Sequence, residues 1–186
     1  PVLLDELQQA GVSSDHILLI NALGTHRANT EPELRSMLGD AIVDDYRIVQ
    51  HDATDQGAMV CLGQTRYGHE VWINDAYMRA DVKILTGFIE PHIFAGFSGG
   101  PKAVLPGVAG MELILDNHSG HMLSAPSATW GVTHGNAIWE EMLEVARMTA
   151  PDLLFNVTLN RKREICGVFA GEMVAAHRAG CEQVRA

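Results

Sequence analysis

The sequence predicts an α/β domain built on a mainly parallel sheet with flanking helices. Three observations lead there. Short apolar runs alternate with segments of helical period along the chain. HILLINALG (16–24) is a continuous apolar run, the pattern of a strand covered on both faces. No repeat, low-complexity tract or Ser/Gly/Pro-rich linker divides the 186 residues, so one domain is expected over 1–186.

Each element has its own signal. PVLLDELQQAGV opens the chain with a short amphipathic helix pattern, and HILLINALG follows as a strand. Thr30-Glu31-Pro32-Glu33 starts the next helix: Thr30 is the N-cap, Pro32 sits in the first turn, and Glu33 holds the capping-box position. ELRSMLGDAI carries that helix onward. YRIVQHD and EVWIN are strands, a short helix spans Ala76 to Ala80, and VKILTGFIE (82–90) is the strongest strand. A helix around Ile138 to Met148, strands in DLLFNVTLN and EICGVFAG, and a final helix complete the alternation. The chain opens on Pro1 and stops inside a helical pattern, so both edges read as cuts through a longer protein.

Composition narrows the function classes. An apolar fraction of 47% and a charged fraction of 19% sustain a core. Thirteen basic against 23 acidic residues give a formal charge of −10, which argues against binding by neutralising a nucleic-acid backbone. No run approaches the roughly 20 apolar residues that span a bilayer, so no membrane partner is expected. Cys61, Cys166 and Cys181 are widely spaced with no CxxC pair, which predicts no disulfide framework and a reducing, cytoplasmic setting.

In sheets of this class ligands bind beyond the carboxyl ends of the strands. HILLINALG runs into Thr25-His26-Arg27, and VKILTGFIE into Pro91-His92. Two histidines at equivalent strand ends can serve as one base and one acid, although a single His there is more readily explained as a loop cap. IFAGFSGGPKAVLPGVAG (93–110) follows His92, crowding Gly96, Gly99, Gly100, Gly107 and Gly110 around Ser98 and Lys102. Glycines let backbone N–H groups approach an anion, and a lysine in such a loop is either a phosphate charge or, when desolvated, a nucleophilic amine. Neither GxxxxGK[ST] nor GxGxxG is matched, and a tight turn with a surface lysine fits the same spacing. His118 and His121 in DNHSGHM lie three apart, placed to share a metal on one helix face. His16 reads as a strand cap; His51, His69, His134 and His177 show no convergent partners; Trp72, Trp130 and Trp139 read as core or interface residues.

Taken in order, ALGTHR, EPHIFAGFSGGPKAVLPGVAG, DNHSG and VFAGEMVAAHRAGCEQV resemble the lactate racemase family. The likeness runs over nearly the whole chain, and FAGFSGGPKA is its most specific part. It implies the first domain of a two-domain enzyme that uses a nickel-pincer nucleotide, a nicotinate-derived cofactor with a nickel–carbon bond. By that resemblance His26 and His92 match the proton-transferring histidines, Lys102 the lysine holding the cofactor through a thioamide, and His118 the protein ligand to nickel. Ser98, Gly99 and Gly100 fall in the cofactor-binding loop. The family's upstream Asp-x-x-Thr-Arg-Pro segment would precede Pro1, and the second domain, with its substrate-facing lysine, would follow Ala186. Pro101 stands where lactate racemase has a basic residue, leaving the identity of the 2-hydroxy acid open.

The expected activity is therefore racemisation or epimerisation of a small 2-hydroxy acid, with the 186 residues alone inactive. Arg27 is the nearest basic group for the substrate's carboxylate. Two rival readings are a nucleotide- or phosphate-binding module without turnover and a metal hydrolase using His118 and His121.

Overall fold

The computed structural model describes residues 2–186. Its helices are α1 (Val2–Gln9), α2 (Glu31–Leu38), α3 (Asp40–Asp45), α4 (Asp75–Met78), α5 (Met111–Asn117), α6 (Gly120–Leu123), α7 (Ala137–Met148) and α8 (Met173–Arg185). The strands are β1 (Leu18–Asn21), β2 (Arg47–Gln50), β3 (Met59–Gln64), β4 (Glu70–Asn74), β5 (Ile84–Ile89), β6 (Pro91–His92), β7 (Gly96–Phe97), β8 (Leu153–Leu159) and β9 (Ile165–Gly171).

The α/β class is as the alternation predicts, and the strands are partly parallel. β1 pairs with β2 and β5 with β8 in parallel, each pair joined through intervening helices as parallel pairing requires. The pairs β3–β4, β6–β7 and β8–β9 are antiparallel because each is joined by a short connection. The strands form four small sheets, the largest ordered β5-β8-β9.

Local departures have identifiable causes. β1 is shorter than the apolar run and half-buried at every position, and His16 lies in a 3-10 turn before it. The helix predicted through ELRSMLGDAI breaks at Gly39, whose φ of 89° belongs to the region glycine enters freely. Its start is as expected: the Glu33 carboxylate accepts from the Thr30 N–H at 2.8 Å, with Pro32 in the first turn. β3 escapes the sequence signal because its polarity does not alternate and a register shift falls between Cys61 and Gln64.

One apolar core links these layers. Ile73, Leu85, Leu105, Leu113, Ile138, Met142 and Leu154 are nearly or fully excluded from solvent and come from β4, β5, the loop after Lys102, α5, α7 and β8. The segment 100–110 thus runs through the core with α7, α8 and β5 around it, which holds the glycine-rich loop still. Among the described residues no helix is long and apolar enough to cross a membrane.

Candidate functional site

β5 ends at Ile89, and the chain folds back through the β6–β7 hairpin into a 3-10 turn at Gly100–Ala103 that carries Lys102. Ser98 fastens this return to the strand: its hydroxyl donates to the Phe88 carbonyl and accepts from the Glu90 N–H, both at 2.9 Å. Gly99 and Gly100 have φ of 72° and 54°. A Cβ on Gly99 would lie 2.5 Å from Asn156 Oδ1, and one on Gly100 2.6 Å from the His177 ring. The Gly100 N–H donates to Asn156 Oδ1 at 2.8 Å, and His177 Nε2 donates to the Ser98 carbonyl at 2.9 Å. These two glycines therefore serve close packing on β8 and α8. The Gly100 N–H is thereby already bonded within the fold.

Lys102 is largely removed from water and forms no salt bridge or side-chain hydrogen bond with the described residues. Burial pulls its ammonium pKa down to about 8, against a weak opposing pull from Glu90. His92 lies within its field. Burial, then the charges of Lys102 and His118, push the His92 imidazole down to about 4. Nδ1 of His92 accepts from the Phe94 and Ala95 N–H groups at 3.3 and 3.1 Å, so the neutral ring carries its proton on Nε2.

His118 caps the end of α5, its own N–H bonded to the Ile114 carbonyl. Nδ1 of its ring donates to the same carbonyl at 3.1 Å, which leaves Nε2 with a free lone pair. Burial lowers its pKa, as does Lys102, while the Ile114 bond and the charge of Glu141 oppose. Lys102, His92 and His118, an amine and two neutral imidazoles, thus lie within one another's electrostatic reach. His121 falls in α6 and is exposed, so it does not join His118. Among the described residues no group of three or more His, Cys, Asp or Glu is placed to hold a metal ion.

His26 follows β1 and is exposed, lining an open depression of about 340 Å³ with Ala22, Leu23, Arg27 and Asn29. Gln50 clamps this loop, Oε1 accepting from the Asn29 N–H at 2.6 Å and Nε2 donating to the Asn29 carbonyl at 2.8 Å. The loop docks beside the lysine's segment: the Gly24 N–H donates to the Gly107 carbonyl at 3.0 Å. His92 and His118 do not line that depression, while the two loops themselves meet at the Gly24–Gly107 bond. Arg27 is not a free carboxylate receptor, because its guanidinium binds both oxygens of Glu33 at 2.7 and 2.8 Å.

Three histidines without evident partners in the sequence turn out to be well partnered. His51 donates from Nε2 to the Ala109 carbonyl at 2.9 Å, His69 donates from Nδ1 to Glu141 at 2.7 Å, and His177 stacks on Trp139 beneath Gly100. Each partner lies far off in sequence, so no local spacing reveals it. Trp130, by contrast, is more than half exposed.

A covalently attached, metal-bearing group fits these residues. The Lys102 amine is desolvated and has no anionic partner, and His118 is fixed as the tautomer that offers Nε2 to a divalent metal such as nickel.

A family model described as the lactate racemase N-terminal domain matches residues 1–131. A lactate racemase from Lactiplantibacillus plantarum is 41% identical over 185 residues, covering 100% of this chain and 43% of the relative. One from Thermoanaerobacterium thermosaccharolyticum is 37% identical over 184 residues, covering 99% and 43%. The solved lactate racemase apoprotein of the latter organism superposes with a TM-score of 0.95 at 36% identity, over 98% of this chain and 44% of that one. A Thermotoga maritima protein shares the fold at a TM-score of 0.82 and 20% identity. The chain spans less than half the length of these relatives. With the family match covering well over half of its residues, the chain belongs to the lactate racemase N-terminal domain family.

Proposed function

We propose that this chain is the cofactor-holding part of a 2-hydroxy acid racemase or epimerase that works with a nickel-pincer nucleotide attached to Lys102. The observation that carries the reading is the cluster itself: a desolvated, unpaired amine beside two neutral imidazoles on rigid, core-anchored segments. When bound, the cofactor supplies reversible acceptance of the C2 hydride. Lys102, lowered to about 8, has a sizeable neutral fraction near physiological pH and is nucleophilic enough for attachment. His118 Nε2 is the metal ligand.

His26 and His92 share the proton work. One takes the hydroxyl proton as a planar 2-keto acid forms, and the other, protonated, returns a proton to the same oxygen during reduction of the opposite face. Backbone donors to Nδ1 hold the His92 ring neutral with its proton on Nε2, ready to hydrogen-bond a substrate oxygen. Charging that ring requires the 92–95 turn to release Nδ1, because an Nδ1–H would face two N–H groups. The relatives' lactate racemase names support a 2-hydroxy acid as the substrate class. Three free cysteines, two of them exposed, support a cytoplasmic setting. A passive phosphate-binding module has less support, since the Gly100 N–H and the Ser98 hydroxyl are already bonded within the fold.

The test is nickel content in the full-length protein produced together with the cofactor-synthesis enzymes. His118→Ala should lose most of its nickel while its melting temperature stays near the parent's, because a partly exposed helix-end ring adds little to the core. Parent-like nickel in that variant would refute the reading of His118.

A further inference from the structure

Glu141 of α7 is fully buried and takes no part in the chemistry above. Its Oε1 accepts from Thr65 Oγ1 and His69 Nδ1, both at 2.7 Å, and its Oε2 accepts from Asn117 Nδ2 at 2.9 Å. Asn117 also donates to the Ile138 carbonyl at 3.1 Å, and its own Oδ1 is buried without a partner among the described residues. Asn117 is the last residue of α5, directly before His118. One buried carboxylate therefore ties α7 and the β3–β4 turn to the helix end that presents the imidazole.

We infer that Glu141 is a positioning residue for the metal ligand: through Asn117 it fixes the end of α5 that presents the His118 ring. This rests on the proposed reading of His118. Two properties point the same way. A carboxylate excluded from water costs several kcal/mol unless it is compensated, and a fold without use for the charge would more simply place a neutral amide there. All three of its partners donate, so two acceptor oxygens suit them where the NH2 of an amide could not. Groups that hold a ligand in this way typically change metal affinity 10- to 100-fold when removed.

The experiment uses the full-length, cofactor-loaded protein and measures the rate of nickel release to a chelator, with the mass borne by Lys102 and the melting temperature recorded alongside. Glu141→Gln should release nickel roughly 10- to 100-fold faster while keeping the mass on Lys102. His69→Gln disturbs the same network but leaves the carboxylate, and should release nickel at nearly the parent rate. Equal acceleration in both variants, tracking their loss of thermal stability, would make Glu141 merely structural and overturn the inference. Should Glu141→Gln fail to fold, Asn117→Ser cuts the link instead, and parent-like nickel retention in that variant overturns the inference equally. His118→Ala separates the two levels. If it too retains nickel, the reading of the site fails; if it loses nickel while Glu141→Gln does not, only the inference fails.

Discussion

In the full-length, cofactor-loaded protein, His26→Ala and His92→Ala should each slow racemisation roughly 100- to 10,000-fold from both pure enantiomers, the usual cost of losing a general acid or base. Each direction uses one histidine as base and the other as acid, and the reverse exchanges them, so neither loss can be confined to one direction. The equilibrium between enantiomers stays fixed, since a catalyst alters neither end state. His26 stands exposed beside its own depression, and His92 is held neutral by two backbone donors. The two variants should therefore differ in pH profile, with the His26→Ala remainder reporting the constrained ring. Initial rates near the parent's from both enantiomers, in either variant, would end the two-histidine account.

Lys102→Met should make the unloaded full-length protein more stable. The side chain is largely desolvated with only the field of Glu90 to offset the cost, and methionine fills much of the same volume with no ammonium to desolvate. The gain at neutral pH is roughly 2 kcal/mol, allowing for residual solvent access. The pH dependence follows from the sign of the shift. Folding lowers the lysine pKa from 10.5 to about 8, so below 8 the native state bears the full cost of a buried charge. Between 8 and 10.5 the unfolded chain holds more protons than the native one, and the parent gains stability as pH rises. The advantage of Lys102→Met is thus largest below pH 8 and fades toward 10.5. Thermal melts of both proteins across that range are the check, and a lower melting temperature for the variant at pH 7 would contradict it. A residue that destabilises its own fold is held for function, in keeping with the usual trade between stability and activity.

The layered α/β order, the start of α2 at Thr30 and the strand ends leading to His26 and His92 were legible because each rests on local periodicity or capping chemistry. Resemblance, more than spacing, singled out Lys102 and His118, and their neighbourhood could not be read at all. Burial of the lysine depends on α7, α8 and β5 closing around residues 100–110, a long-range fact. Gly99 and Gly100 looked like an anion loop, yet their smallness answers to Asn156 and His177, 56 to 77 residues away. Glu141 inside α7 reads as one more acidic residue in a charged helix until Thr65, His69 and Asn117 converge on it. The β6–β7 hairpin that returns the chain from β5 has two-residue strands, too short to carry a pattern.

The central claim is that Lys102 anchors the cofactor, and peptide-resolved mass spectrometry of the full-length protein produced with the cofactor-synthesis enzymes tests it most directly. The account predicts an added mass on the peptide containing Lys102, absent from Lys102→Met. An unmodified Lys102 peptide in racemisation-competent protein, or the same added mass on a different residue, would contradict it.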